Sequence, residues 1–213
     1  MSDRHATPRP RWRGHVHTWA FVATLPVILV LLLAADHRRA QLVLAVFGGS
    51  LLGVYGISAV YHRLARSPGV RRVMQRLDHS MIFVLFAATY TAVAVTSLDG
   101  LARTVLLVTV WSLTAVSIGI KVRCGDRALR NSNVLYAVLT APAFLALPVL
   151  VQSLPVFPFA LLVLGGGFYI AGALVFYRGR PDPSPLVFGY HEIWHVFTVL
   201  AGTAHLGMVA VLA

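Results

Sequence analysis

Charged residues and cysteine are both scarce in this sequence of 213 residues. Only 12% of the residues are charged, whereas a soluble domain has about 25%. Acidic residues number seven, against 18 lysines and arginines. Cys124 is the single cysteine, so an intrachain disulfide is excluded. These shortages exclude a soluble globular domain of ordinary composition and any fold that depends on disulfides.

Apolar residues make up 58% of the chain and fall into long blocks. A block of about 20 residues is the length of helix that spans a hydrocarbon core about 30 Å thick. The blocks lack the alternation of apolar and polar residues that is typical of membrane β-strands. We therefore predict an all-α integral membrane protein, a bundle of seven transmembrane helices. The predicted spans are 19–35, 41–62, 77–97, 101–120, 134–151, 156–177 and 186–213.

The first block has a rival interpretation as a signal peptide, because basic residues precede a short apolar run. We favour a membrane span because further spans follow at once. Residues 1–14 are polar and basic and are expected to form a loose cytoplasmic tail. Residues 15–213 are then expected to form a single transmembrane domain.

Positive charge is distributed unequally between the loops. Fifteen of the 18 lysines and arginines lie in the tail and in the loops after spans 2, 4 and 6. Because these residues stay cytoplasmic, the N-terminus is predicted inside and the C-terminus outside. The net charge of +11 is thus interpreted as a topology signal, and no nucleic-acid partner is expected.

This topology places polar residues of spans 2, 3 and 7 at one depth, near the cytoplasmic face. They are Ser58, His62, Asp78, His79, His191 and His195. Two histidines four residues apart lie on the same face of a helix, as His191 and His195 do. An ionisable group at membrane depth is costly, and one that persists there usually faces a cavity, a partner or a metal.

Three imidazoles with one open position match a catalytic zinc site. We therefore predict Zn²⁺ held by His191 and His195 together with another histidine of this group. Bound zinc lowers the pKa of water to about 7, so Asp78 is the candidate general base. Ser58, one turn before His62, is the candidate to orient the water or to donate to an oxyanion.

Simpler interpretations exist for the same residues. Each histidine can be a hydrogen-bonded packing residue. Asp78 can cap the third helix or pair with an arginine such as Arg63, Arg66 or Arg76. The concentration of these side chains at one depth favours the metal site.

Residues 191–195 also match H-E-x-x-H, the motif of zinc proteases in which the glutamate is the base. Asp99 similarly resembles the aspartate of intramembrane zinc proteases. In those proteases, however, the helix with the two histidines comes first, and here the order is reversed. Asp99 is also predicted on the outer side. We therefore interpret Glu192 as a group that supports a ligand or faces water.

Other polar residues within the spans are expected to serve packing. His205 lies ten residues after His195, roughly 15 Å along a helix, which is too far to bind the same ion. It is expected to form a hydrogen bond between helices. Thr89, Tyr90 and Thr91 are expected to bond to backbone or neighbouring helices.

Gly49 and Gly53 form a small-xxx-small pair in the second span, which permits close contact between helices. Packing within the bundle is the expected role. The alternative is the seam of a homodimer.

Three motifs resemble those of the hemolysin III family, within the wider progestin and adipoQ receptor superfamily. They are the segments 58–62, 77–83 with 88–91, and 191–195 with 204–205. The resemblance implies a seven-helix bundle in a bacterial plasma (inner) membrane. It also implies zinc held by His62, His191 and His195 near the cytoplasmic face, with Asp78 and Ser58 around the zinc-bound water.

The superfamily is similar to alkaline ceramidases, which implies zinc-dependent hydrolysis of an amide or ester bond in a membrane lipid. The family name implies a pore-forming cytolysin or channel as an alternative. A third interpretation is a membrane sensor or regulator that zinc stabilises without turnover.

Overall fold

Seven helices build the protein in the computed structural model, which describes residues 10–130 and 132–213, with side chains at 10–123 and 134–213. Every one of the seven is long and apolar enough to cross a membrane. Within the described ranges no β-strand occurs, so the predicted all-α class is confirmed. The helices are α1 His15–Ala34, α2 Arg38–Arg63, α3 Pro68–Ser97, α4 Gly100–Arg130, α5 Ser132–Ser153, α6 Val156–Arg178 and α7 Tyr190–Leu212.

Helix α3 begins two turns before its apolar block. Ser67 is its N-cap residue, and the Val70 N–H donates to the Ser67 hydroxyl oxygen at 3.3 Å. Pro68 occupies the first helical position, where its missing N–H costs nothing. Asp78 therefore lies well inside α3, and the interpretation of Asp78 as a helix cap is wrong.

The first residues of the chain that the structure describes are docked rather than loose. The Arg11 N–H donates to the Leu186 carbonyl at 3.0 Å, and the Trp12 N–H donates to the Val187 carbonyl at 3.1 Å. Residues 10–14 thus lie along the link between α6 and α7, which corrects the expected loose tail for these positions. Residues 1–9 of that tail lie outside the described part of the chain.

Glycines set how closely α7 lies to its neighbours. A Cβ atom at Gly172 of α6 would lie 2.6 Å from Phe197 Cβ and 2.7 Å from the Trp194 ring. Gly202 of α7 faces Leu51 and Tyr55 of α2, with a Cβ atom 2.7 Å from Leu51 Cδ1. Since no larger residue fits at either contact, α7 packs directly against both α2 and α6.

The small-xxx-small pair of α2 divides between two environments. Gly53 faces Met81 of α3, and a Cβ atom there would collide with the Met81 side chain. At Gly49 a Cβ atom would meet no atom within 4 Å. The expected packing within the bundle holds at Gly53, and the homodimer seam stays a prediction.

The start of α1, the end of α2 and the start of α7 lie at one end of the bundle. Gly14 lies against His62, and His17 lies against His195. The link between α3 and α4 is at the far end, because α3 runs about 30 Å from Asp78 to Ser97. The arginine distribution predicts that the first of these ends is cytoplasmic.

That orientation is testable with single cysteines in a Cys124→Ser background. We expect Asp99→Cys, in the link after α3, to react with a membrane-impermeant maleimide on intact cells. Ser67→Cys, in the link before α3, should react only after the membrane is permeabilised. Labelling of Ser67→Cys but not of Asp99→Cys on intact cells would invert the predicted topology.

Candidate metal centre

Three histidines meet where α2 ends and α7 begins. His62 lies in the last turn of α2, and His191 and His195 lie in the first turns of α7. Each offers one ring nitrogen, and these three atoms lie within 4.8 Å of one another. The Nε2 atoms of His62 and His191 are 3.3 Å apart. Two sequence-distant helices therefore supply one compact group of imidazoles, as predicted.

The spacing of the nitrogens fits a small transition-metal ion. Ligands at 2.0–2.1 Å in a tetrahedron lie about 3.3–3.4 Å from one another, which matches the His62–His191 separation. His195 is buried, and the other two rings are half-buried. Imidazole suits zinc, copper, iron and nickel. The three histidines thus form a possible metal site, but they do not determine which of these metals binds.

A cavity of about 480 Å³ extends from this end into the bundle. Ser58, Asp78 and His195 line it together. Its other walls are mostly apolar, with side chains from all seven helices, including Val54, Leu85, Phe86, Val93, Leu106, Leu147, Leu150, Phe159 and Leu162. Phe144 of α5 and Ile170 of α6 line the cavity and are also 69% and 60% exposed. The cavity is therefore bordered by side chains that also form the lipid-facing surface of α5 and α6.

Ser58 of α2 and Asp78 of α3 lie near each other in the lining of the cavity. Tyr136 of α5 lies near the same carboxyl. Ser58 is buried, one turn before His62. Across the described side chains the ion pairs are Arg13–Glu192 and Arg103–Asp99. The proposed pairing of Asp78 with an arginine is therefore not found there.

Glu192 is fully buried and committed to other partners. Its Oε2 accepts the Gly189 N–H at 2.9 Å, the contact that the glutamate makes in a capping box. Its Oε1 lies 2.8 Å from Arg13 Nε. Of the two expected roles of Glu192, the water-facing one is wrong, because the carboxylate is fully buried. Its contacts support the start of α7, next to His191. Asp99 pairs with Arg103 at the far end of the bundle, so the protease arrangement has neither its base nor its aspartate.

His17 is the main residue that the sequence reasoning missed. Its ring stacks on His195 with centroids 4.0 Å apart and planes 14° from parallel. Its Nε2 lies 2.9 Å from Thr198 Oγ1. A signal is present in the sequence, because His17 lies two residues before Trp19, at the predicted cytoplasmic start of the first span and on the same membrane side as His62. An apolar block that begins at Trp19 leaves His17 outside that span.

Lys121 and His79 form a second polar contact near this end. The predicted fourth span ends at residue 120, but α4 continues to Arg130 and places Lys121 inside the helix. The side chain of Lys121 is fully buried, and its Nζ lies 3.3 Å from His79 Nδ1. The contact ties α4 to the turn of α3 that carries Asp78.

The expected packing roles of the remaining polar residues are confirmed. His205 Nε2 donates to the Leu162 carbonyl of α6 at 3.1 Å. Thr89 and Thr91 donate to backbone carbonyls of their own helix at 2.9 Å and 2.7 Å. Tyr90 donates to the Leu139 carbonyl of α5 at 3.0 Å.

The fold and the histidine cluster together define a multi-pass membrane protein with a possible metal site at one end. The sequence matches the family described as "Haemolysin-III related" over residues 5–206. It is 31% identical to "Hemolysin-3" of Bacillus cereus over 191 residues, 88% of this chain and 84% of that protein. It is 32% identical to "Hemolysin-3 homolog" of Bacillus subtilis (strain 168), with coverages of 88% and 86%. The chain belongs to the haemolysin-III-related family.

Metal analysis of purified protein tests the cluster. We expect one zinc ion per chain in the wild type and at least a tenfold loss of zinc occupancy in His62→Ala, because one of three ligands is removed. His37→Ala is the matched control, since His37 is exposed at the other end of α2 and should leave zinc content unchanged. Full zinc occupancy in His62→Ala would contradict the site.

Proposed function

We propose that the protein is a zinc-dependent membrane hydrolase that cleaves an amide or ester bond of a lipid near the cytoplasmic face. One observation carries the proposal: His195 of the three-histidine cluster, the Asp78 carboxyl and the Ser58 hydroxyl line the same lipid-sized cavity. A binding module for metal alone has no need of an apolar chamber beside its ligands. The shared motifs of the haemolysin-III-related family support the membrane setting of the site.

The roles of the chain's own residues follow from their chemistry. His62, His191 and His195 would hold the ion. When bound, zinc supplies Lewis-acid activation of water and polarisation of a carbonyl oxygen. Asp78 would accept a proton on its carboxylate as general base. Ser58 lies near Asp78 in the cavity lining, so its hydroxyl would donate to that carboxylate and fix the direction in which it points.

The cavity supports a lipid as the substrate class. Pockets for small molecules measure about 300–1,000 Å³ and are mostly apolar with a few placed polar groups. The present cavity, at about 480 Å³, has Ser58, Asp78 and His195 at one end and mostly apolar walls, with a few further polar side chains such as Tyr90 and His205. An acyl chain would fill the apolar part while its carbonyl lies beside the histidines. Exposed Phe144 and Ile170 border a route from the surrounding bilayer.

Two other functions predict different results when the protein is tested on liposomes with and without zinc. The relatives' name, Hemolysin-3, favours a pore-forming cytolysin, which would make liposomes leak after zinc is removed. A zinc-stabilised sensor or regulator would melt at a lower temperature without zinc and would convert no lipid in either state.

Asp78→Asn tests the proposed base. We expect turnover of the preferred lipid to fall by about 10²–10⁴-fold, since a general base contributes that much, while zinc content stays at the wild-type value. Ser58→Ala should lower turnover less, because it removes a group that positions the base. Release of fatty acid from liposomes containing a panel of amide and ester lipids is followed by mass spectrometry.

Thr203→Ala is the matched control, because Thr203 is an exposed α7 residue that bonds only to its own helix in the described contacts. It should retain wild-type turnover. Undiminished turnover in Asp78→Asn would remove the base from the proposal. Absence of product from every lipid, with zinc bound, would overturn the hydrolase.

A further inference from the structure

Residues 10–18 contact both helices that carry the three histidines. We call this segment the N-terminal clamp. It comprises the docked residues before α1 and the first turn of α1. Helix α1 packs against α2 and α7, and the clamp is the part of that contact that lies beside the histidines. Its contacts with α7 are polar and buried, which is unusual for a segment adjoining a cytoplasmic tail.

The first contact of the clamp with α7 is the ion pair of Arg13 with Glu192. Arg13 Nε lies 2.8 Å from Glu192 Oε1, and the glutamate is fully buried. A buried carboxylate without its partner is strongly destabilising, because the remaining charge has no compensation. Glu192 immediately follows His191, and its other oxygen caps the first turn of α7. Arg13 thus holds the turn that carries the first of the two α7 histidines.

The second contact lies one turn further along both helices. Thr198 Oγ1 donates to the His195 carbonyl at 2.8 Å. Because its one proton is used there, Thr198 accepts from the Nε2–H of His17 at 2.9 Å. The same His17 ring lies flat on the His195 ring, with centroids 4.0 Å apart. His17 therefore restricts the rotation of the ring that belongs to the metal cluster.

The clamp also touches the end of α2. Gly14 has a φ of 82°, and a Cβ atom there would lie 2.9 Å from His62 Cβ and 2.9 Å from Arg63 Cγ. Arg63 Nη1 donates to the Thr18 hydroxyl at 3.2 Å, and that hydroxyl donates to the Gly14 carbonyl at 2.9 Å. The segment thus fixes His62 on one side and His191 and His195 on the other.

We infer that Arg13 and His17 are positioning residues of the metal centre, which set the distance between the α2 ligand and the α7 ligands. The inference rests on the proposed zinc site and deepens it. Residues that support metal ligands typically change metal affinity 10–100-fold when they are replaced. The clamp supplies that support from a third helix, α1, and from the residues just before it.

Zinc dissociation constants of purified variants, measured by competition with a chelator, test the inference. The double variant Arg13→Met/Glu192→Gln removes the ion pair, leaves no unpaired buried charge and keeps a capping side chain at the third position of α7. His17→Phe keeps a ring against His195 but cannot donate to Thr198. We expect each variant to raise the zinc dissociation constant about 10–100-fold.

The readout must separate positioning from general damage to the fold. We expect the metal-free variants to melt at the same temperature as the metal-free wild type, and their Co²⁺-substituted forms to show altered visible absorption from a distorted ligand field. Arg11→Met is the matched control, because Arg11 is exposed and contacts the link before α7 through its backbone. It should bind zinc as the wild type does.

Zinc dissociation constants within threefold of wild type in both clamp variants would overturn the inference, even if lipid hydrolysis continues. A loss of affinity matched by an equal loss in Arg11→Met, or accompanied by melting of the metal-free protein, would overturn it too. Weakened zinc binding in the clamp variants of a protein that converts no lipid would support the clamp and reject the hydrolase. The two proposals therefore fail separately.

Discussion

A carboxylate cannot stay buried at the end of a membrane helix without compensation, and Glu192 is such a group. Its Oε2 accepts the Gly189 N–H, and the positive charge of Arg13 compensates its negative charge. Removing one partner of a buried pair typically costs about 3–5 kcal/mol, which is a large part of the stability of a domain. The arrangement is consequently fixed, and it fixes the first turn of α7 with it. The direction in which His191 and His195 project follows from that turn.

The position of the histidines also depends on small residues that lie far from them along the helices. The rings of α7 reach His62 only if α7 lies close to α2, and Gly202 provides that closeness against Leu51 and Tyr55. Gly172 provides it on the other side, against Trp194 and Phe197. Without a hydrophobic drive between helices in lipid, close backbone packing of this kind stabilises the bundle. The geometry of the cluster is therefore set along the whole length of α7.

Much of the fold and of the site was predictable, because the relevant signals are local. Apolar blocks of fixed length identify membrane helices, and the alternation of helix direction brings His62 and His191 to one end. The co-location of Ser58 with Asp78 followed from the same reasoning, and both line one cavity with His195. None of this required knowledge of side-chain rotamers.

The ends of the helices were predicted less well, for a physical reason. Hydropathy reports where a helix is embedded in lipid, whereas a helix starts where its N–H groups are satisfied. At α3 the Ser67–Pro68 signal lies well before the apolar block. At α1 the helix starts at His15, whereas the predicted span starts at residue 19 and leaves His17 outside. At α4 the apolar block ends at residue 120, whereas the helix continues to Arg130 and includes Lys121.

The docked tail could not be predicted, because its contacts join residues about 180 positions apart in the sequence. Nothing in the composition of residues 10–14 distinguishes a docked segment from a loose one. Arginine there satisfies the topology rule whether or not it finds a carboxylate. Long-range polar pairs of this kind emerge only when both helices are in place.

The H-E-I-W-H segment, residues 191–195, shows that the role of a residue in a motif depends on the contacts it makes. In a zinc protease the glutamate must face the ion's water to act as base. Here the glutamate is engaged by the Gly189 N–H and by Arg13. In the proposed mechanism the general base is Asp78, which comes from another helix. Two histidines four residues apart can form a ligand pair on any helix. The role of the glutamate between them depends on its own contacts.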